Sequence, residues 1–196
     1  MDSTLVNTIR QRAEWERKRE GYPEGFPALP LVPAGRYTDP HFFTLERDLV
    51  FGKSWMYVAH TSELPDPGTT LLLDQFPAPL FLIRGRDQQI HCFYNTCQHR
   101  GAPLVYAGEP PVKGWLTCKY HGWAYHLDGR LAAIPEEYNF KDVDKACINL
   151  HAVSCDTWAG MIFINLDPHA LPLREYLAPI VREIDSEIGD QAPVQT

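Results

Sequence analysis

The sequence predicts a mostly β domain of the α+β class, an antiparallel sandwich with helices at its two ends. Between residues 55 and 165 the chain is divided into nine short runs of β-forming residues. Turn sequences such as Pro65-Asp66-Pro67-Gly68 separate these runs. Closely spaced short strands of this kind are typical of sandwiches and small barrels. Helical patterns lie before and after the region.

Residues 1–34 are predicted to form an N-terminal helix and a proline-rich arm. Ser3 is a suitable N-cap for a helix over 3–20. Its thin apolar stripe consists of Leu5, Ile9 and Ala13. A stripe this thin indicates a helix that needs a partner surface. Four of the seventeen prolines fall within 21–33, which predicts an extended arm.

Residues 35–170 are predicted to form the main domain. Asp39 and Pro40 suit the start of a helix over 41–51, because aspartate can cap a helix and proline fits its first turn. The predicted strands follow it at 55–60, 69–74, 80–84, 89–94, 115–118, 123–126, 131–133, 150–156 and 160–165.

Residues 171–196 are predicted to form a C-terminal helix and tail. Pro172 precedes an amphipathic pattern over 173–188, which predicts a helix with one face on the domain. The remaining residues form the predicted tail.

Composition and charge exclude several functions. A hydrophobic content of 44% is enough for a packed core, and the net charge of −7 offers no basic stripe for nucleic acid. No stretch reaches the roughly 18 apolar residues that span a bilayer. Five cysteines are an odd number, and the N-terminus lacks a secretion signal, so we expect a reducing, cytoplasmic location without disulfides.

The motif that carries chemistry combines cysteine and histidine in two halves. Cys97 and His99 form a C-x-H pair, and Cys118 and His121 form a C-x₂-H pair eighteen residues later. Each half puts a thiolate and an imidazole on one tight loop. Two such loops can clamp a metal centre from opposite sides.

Two metal centres fit this set of ligands. Zinc would take all four side chains tetrahedrally, whereas a Rieske [2Fe–2S] cluster takes two thiolates on one iron and two imidazoles on the other. Zinc fingers pair Cys with Cys and His with His along the chain. Here each half supplies one of each, which favours the cluster, with zinc as the alternative.

The surrounding residues resemble the Rieske domain of ring-hydroxylating, non-haem iron oxygenase large subunits. The resemblance rests on Cys97-Gln98-His99-Arg100-Gly101, Cys118-Lys119-Tyr120-His121-Gly122-Trp123, Leu127-Asp128-Gly129-Arg130-Leu131, Ile134-Pro135 and the run from Gly160 to Leu166. It covers most of residues 35–185. The spacer between the two halves is slightly longer than is usual, which we interpret as a longer loop over 108–114.

The resemblance implies a Rieske-type fold with two cluster-binding loops and Cys97, His99, Cys118 and His121 as cluster ligands. Supporting roles are expected next to them, for Arg100, Gly101, Tyr120, Gly122 and Trp123. The glycines are expected to adopt backbone conformations that a Cβ would penalise. Tyr120 is expected at the exposed histidine edge, and Trp123 and Tyr125 as core aromatics or as a cover over the cluster.

Respiratory-type Rieske proteins resemble one another in an extra cysteine pair and in a serine after the second His-Gly. This sequence has neither, so we expect fewer hydrogen bonds to the sulfur atoms. The reduction potential is then expected near the lower end of the roughly −150 to +300 mV Rieske range.

The resemblance implies electron transfer from a reductase or ferredoxin to a mononuclear non-haem iron. In the family that iron is held by two His and one carboxylate in a second domain, usually that of a neighbouring subunit in a trimer. We expect that catalytic domain to be absent from this chain and assign no catalytic residue, so the chain should not hydroxylate a substrate alone. A free-standing Rieske ferredoxin and a zinc-stabilised interaction module without redox role are the alternatives.

Overall fold

The computed structural model describes residues 3–23 and 25–188, so the predicted tail over 189–196 lies outside the described residues. The chain divides into two compact units, one ending at Asp39 and one beginning at Pro40. The predicted domain limits, 1–34, 35–170 and 171–196, stay a prediction. Among the described residues, no helix combines the length and apolar character that a bilayer crossing requires.

The first unit contains two helices joined by the predicted arm. Helix α1 spans Ser3–Lys18, and α2 is a single turn over Gly35–Thr38. The basic residues Arg17 and Lys18 in the last turn of α1 interact favourably with the negative end of the helix dipole. Between the helices the described residues form neither helix nor strand, as the prolines predict.

The second unit contains every strand that was predicted. Helix α3 covers Pro40–Glu46 and continues as a π-helical turn over Arg47–Phe51. The strands are β1 (Met56–His60), β2 (Thr70–Leu73), β3 (Leu80–Arg84), β4 (Ile90–Tyr94), β5 (Leu116–Thr117), β6 (Ala124–Tyr125), β7 (Leu131–Ala133), β8 (Ala152–Trp158) and β9 (Met161–Asn165). Helices α4 (Leu173–Tyr176) and α5 (Ala178–Ile188) follow.

The strands form two antiparallel sheets. The large sheet has the order β1-β9-β8-β4-β3-β2, and the small sheet has the order β5-β6-β7. Neighbours in both sheets run antiparallel. Buried residues from all six strands of the large sheet share one apolar cluster, so this sheet curls around its own core as a half-barrel.

Strand β3 is buried on both faces because it lies between two cores. Side chains alternate across a strand, so Leu80 and Leu82 face the interior of the half-barrel. Phe81 and Ile83 face the opposite way and pack in a second cluster with Leu116 and other residues of the small sheet and loops. This second cluster, called here the inter-sheet core, holds the two sheets together.

The C-terminal helices close one side of the large sheet through a stripe at helical spacing. Leu173, Leu177 and Val181 are buried and pack against Trp55, Trp158 and Phe163. Because residues four apart share one helix face, these three side chains form a single apolar contact. The predicted helix over 173–188 is confirmed, with a break between α4 and α5.

Leu173→Ala is expected to lower the free energy of unfolding by about 2–5 kcal/mol, because Leu173 is 1% exposed and its loss leaves a cavity. Urea denaturation followed by far-UV circular dichroism measures the change. Leu171→Ala is the matched control, since that side chain is 63% exposed and should change stability by less than about 0.5 kcal/mol. Equal effects of the two substitutions would contradict the packing.

Candidate metal centre

Two loops carry the four predicted ligands, and each begins where a strand ends. The first loop follows β4 and holds Cys97 and His99, whereas the second joins β5 to β6 and holds Cys118 and His121. The ring centroids of His99 and His121 lie 4.8 Å apart, with the rings at 69° to each other. The structure therefore brings the two halves of the motif together.

The two loops close with the same pair of backbone hydrogen bonds. In the first loop, the Cys97 amide donates to the Ala102 carbonyl (2.8 Å) and the Gly101 amide donates to the Cys97 carbonyl (2.8 Å). In the second, the Cys118 amide donates to the carbonyl five positions later (2.8 Å), and the Gly122 amide donates to the Cys118 carbonyl (2.9 Å). The two loops share one backbone frame although their histidine spacing differs.

Glycine occupies the fourth position after each cysteine for a backbone reason. Gly101 has φ +72° and Gly122 has φ +73°, a region that residues with a Cβ rarely adopt. A Cβ on Gly122 would also lie 2.9 Å from Cγ of Pro135. The expected backbone conformation of these glycines is confirmed. Their role next to a cluster stays a prediction.

Burial separates the four side chains into two groups. Cys97 and Cys118 are each 3% exposed and belong to the inter-sheet core. His99 is half-buried and His121 is exposed. Nδ1 of His99 is buried and has no hydrogen-bond partner among the described residues. Buried polar atoms nearly always have a partner. A metal would supply the partner that this nitrogen lacks.

Aromatic rings contact both imidazoles. The buried indole of Trp123 stacks on His99, with centroids 5.0 Å apart and planes within 6°. The ring of Tyr120 lies 3.8 Å from that of His121 and is 63% exposed. Trp123 therefore supports one histidine from inside the domain, and Tyr120 covers the other from the solvent side.

The buried Tyr125 hydroxyl links the first loop to strand β6, which the sequence did not predict. Its Oη accepts a hydrogen bond from the Gln98 amide (3.0 Å) and lies 3.3 Å from Sγ of Cys97. A metal-bound cysteine is a thiolate without a proton, so in the metal-bound form the Tyr125 hydroxyl is the donor. Of the two roles expected for Tyr125, the core aromatic is confirmed.

Asn95 fixes the base of the first loop and is a second residue that sequence reasoning missed. It is 5% exposed, and its Nδ2 donates to the Val105 carbonyl at 2.8 Å. Its Oδ1 accepts from the amides of Leu104 (2.8 Å) and Val105 (3.0 Å). One side chain thus joins the two ends of the loop. The only signal in the sequence is an asparagine directly after a buried strand.

Burial favours the neutral forms of the groups around Cys97. It raises the pKa of the Cys97 thiol, an effect that the hydrogen bond with Tyr125 partly offsets. Burial lowers the pKa of His99, and the positive charges of His121 and Arg100 lower it further. Burial also raises the pKa of the Tyr125 hydroxyl. Neutral imidazole is the metal-binding form, whereas a thiol must release its proton to bind a metal.

The long spacer between the loops is attached to the second loop by a charged side chain. Lys119 forms an ion pair with Glu109, and its Nζ lies 4.7 Å from the centre of the Tyr106 ring. The lysine holds the pKa of Glu109 below its usual value. Arg100 is exposed, and its charge lies close enough to His99 to lower the pKa of that imidazole.

The three other cysteines have surroundings unlike those of the two predicted ligands. Cys92 is buried in the half-barrel core, and burial raises the pKa of its thiol. Cys155 packs against the same core, and burial raises its pKa to about 12. Cys147 is exposed. Cys92 and Cys155 pack in or against the half-barrel core, whereas Cys97 and Cys118 lie in the inter-sheet core, so Cys92 and Cys155 are packing residues.

Residues 54–148 match the family model of the Rieske [2Fe–2S] domain. The carnitine monooxygenase oxygenase subunit of Escherichia coli K12 is 40% identical over 159 residues, which is 79% of this chain. The anthranilate 1,2-dioxygenase large subunit of Acinetobacter baylyi is 32% identical over 193 residues, or 95% of this chain. The chain belongs to the Rieske [2Fe–2S] domain family. It spans 42% and 40% of the length of these two relatives.

Solved structures share the Rieske fold. A quaternary ammonium Rieske monooxygenase in complex with L-carnitine superposes with a TM-score of 0.72 at 33% identity, covering 86% of this chain and 49% of that one. Naphthalene 1,2-dioxygenase from Rhodococcus sp. gives a TM-score of 0.71 at 30% identity, covering 79% and 36%. The predicted fold class, a mostly β Rieske-type domain with flanking helices, is confirmed.

The residues present fit a [2Fe–2S] cluster, which is the cofactor of the family. Two buried thiols and two adjacent imidazoles lie on the two loops, and Nδ1 of His99 is buried without a hydrogen-bond partner among the described residues. This is the donor set that a Rieske cluster takes, with two thiolates on one iron and two imidazoles on the other.

Tyr125→Phe is expected to lower the midpoint potential of the bound cluster. A hydrogen bond to sulfur stabilises the more negative, reduced state, and its loss of roughly 0.5–1.5 kcal/mol corresponds to about 20–60 mV. Redox titration followed by EPR measures the shift. Tyr94→Phe is the control, because Tyr94 packs against the half-barrel core instead. An unchanged potential in Tyr125→Phe would contradict the assigned donor.

Proposed function

We propose that this Rieske domain binds its [2Fe–2S] cluster through Cys97, His99, Cys118 and His121. It passes single electrons from a reductase or ferredoxin to a mononuclear non-haem iron. The observation that carries the proposal is the pair of loops with one backbone frame, which place two buried thiols beside two adjacent imidazoles. When bound, the cluster supplies one-electron redox chemistry.

The residues of the two loops have two roles: some hold the cluster, and others exchange electrons with a partner. The buried cysteines hold the cluster with sulfur atoms that are shielded from water. The exposed imidazole of His121 provides the electron exit, and Tyr120 forms the rim on which a partner docks. Exposed Arg100 lies beside His99 and contributes charge to the same docking surface.

We place the receiving iron on another domain or another chain. Its ligands in this class of enzyme are two His and one carboxylate, which are distinct from the Cys and His ligands of the Rieske domain matched at residues 54–148. The matched relatives are named as subunits of carnitine monooxygenase, anthranilate dioxygenase and benzene dioxygenase. Their names share oxygenase activity, which supports an oxygenase partner over a free-standing ferredoxin.

The remaining expectations about the assembly stay predictions. They comprise a trimer formed through the oxygenase partner and a cytoplasmic location. None of the five cysteines, all of which lie among the described residues, forms a disulfide.

Cys97→Ser and His121→Ala are each expected to abolish the visible chromophore and the EPR signal of the reduced cluster. Each substitution removes one protein ligand of an iron that has only two. Absorption spectra, iron and acid-labile sulfide content, and EPR after dithionite reduction measure the outcome.

Cys147→Ser and His126→Ala are the matched controls, because both side chains are exposed and neither belongs to the two loops. Both should retain two irons per chain, as in the Rieske cluster. Full colour in Cys97→Ser or His121→Ala would refute the ligand assignment. A colourless parent protein that contains one zinc ion would refute the proposed function.

A further inference from the structure

A segment after β7 packs onto the inter-sheet core with few inward side chains. Residues 135–147, called here the cover segment, contain two single 3₁₀ turns, Glu137–Asn139 and Lys145–Cys147. Most of their side chains are exposed. Phe140 and Val143 are half-buried and pack against the inter-sheet core. The segment therefore places two apolar side chains toward the interior.

Local hydrogen bonds give the cover segment a defined shape around Phe140. The Phe140 amide donates to the Glu137 carbonyl (2.9 Å), and the Val143 amide donates to the Phe140 carbonyl (3.0 Å). Nζ of Lys145 contacts Oε2 of Glu137 at 2.8 Å, which ties the second turn to the first. Phe140 thus lies at the junction of the two turns, held by bonds on both sides.

The cover segment contacts both cluster-binding loops. A Cβ on Gly122 would lie 2.9 Å from Cγ of Pro135. The start of the segment is therefore packed against the second loop. The ring of Phe140 meets that of His99 edge to face, with centroids 6.0 Å apart and planes at 84°. It meets Trp123 in the same way at 5.7 Å and 79°.

These contacts surround the His99 imidazole with rings. Trp123 stacks on its face, and Phe140 packs at 84° to its plane. Edge-to-face and stacked pairs are the favoured aromatic arrangements. Together they restrict rotation of the imidazole about its bond to Cβ. Nδ1 of the same imidazole is buried.

We propose that Phe140 is a positioning residue, which fixes the His99 ring against Trp123 and excludes water from the His99 side of the cluster. The inference rests on the proposed function, because it takes His99 as a ligand. Phe140 would touch the histidine without binding metal, so its effect is on the potential and on the lifetime of the bound cluster.

The sign of the effect follows from charge. A cluster of two ferric ions, two sulfides, two thiolates and two neutral imidazoles has no net charge, and reduction adds one negative charge. Water stabilises the charged state more than the neutral one. Removal of the Phe140 ring admits water near His99, so the midpoint potential rises. When the His99 imidazole is held less tightly, the metal site also opens more often, which speeds the loss of iron.

The test uses Phe140→Ala and Phe140→Leu in the loaded protein, with Tyr138→Ala as the control. Tyr138 belongs to the same segment but is 70% exposed. For Phe140→Ala we expect a positive shift of the midpoint potential and altered g values in EPR. After dithionite reduction, a ferrous chelator (bathophenanthroline disulfonate) should bleach it about fivefold faster or more, as expected when local packing is lost.

The midpoint potential and bleaching rate of Phe140→Leu should fall between those of the parent and of Phe140→Ala, because leucine restores apolar volume without the ring edge. Tyr138→Ala should have the potential and bleaching rate of the parent. A lower melting temperature in Phe140→Ala with parental potential and g values would reduce Phe140 to a packing residue and overturn the inference. If Phe140→Ala fails to load, a parental bleaching rate and potential in Phe140→Leu overturn it. A parent without a [2Fe–2S] cluster would instead defeat the proposed function itself.

Discussion

The amides of Cys97 and Cys118 each donate to a carbonyl five residues further along, and each cysteine carbonyl accepts from a glycine amide four residues along. This repeated closure is the constraint on which the metal centre depends. It turns the two cysteine side chains into the inter-sheet core and forces a left-handed residue into each loop. Only glycine adopts that conformation without strain, so Gly101 and Gly122 are structural requirements of the loops.

One shared frame with two histidine spacings produces an asymmetric centre. In the first loop the histidine is the second residue after the cysteine, and it lies half-buried against Trp123. In the second loop the histidine is the third residue, and it is exposed to solvent with the Tyr120 ring packed beside it. A shift of one position within the same backbone thus separates a protected imidazole from an accessible one. The proposed division between holding and exchanging electrons follows from this shift.

Sequence reasoning located the strands, the helices and the two halves of the motif, because their signals are local. Period-two alternation, turn residues and ligand spacing all lie within a few residues of each other. The contacts of Asn95, Tyr125 and Phe140 are not local. Tyr125 reaches Cys97 across 28 positions of the chain, and the cover segment reaches His99 from beyond β7. No propensity or period encodes which distant atoms such side chains meet, so only the fold reveals them.

The spacer over 106–114 lies between the two frames without taking part in either closure. Its Gly108 has open space around the position of a Cβ, and its nearest anchor to the second loop is the ion pair between Glu109 and Lys119. Chain length can therefore change here without moving either pair of closing hydrogen bonds. In evolution, and in protein engineering, this is where the domain can accept inserted residues and acquire a new surface beside an unaltered redox centre.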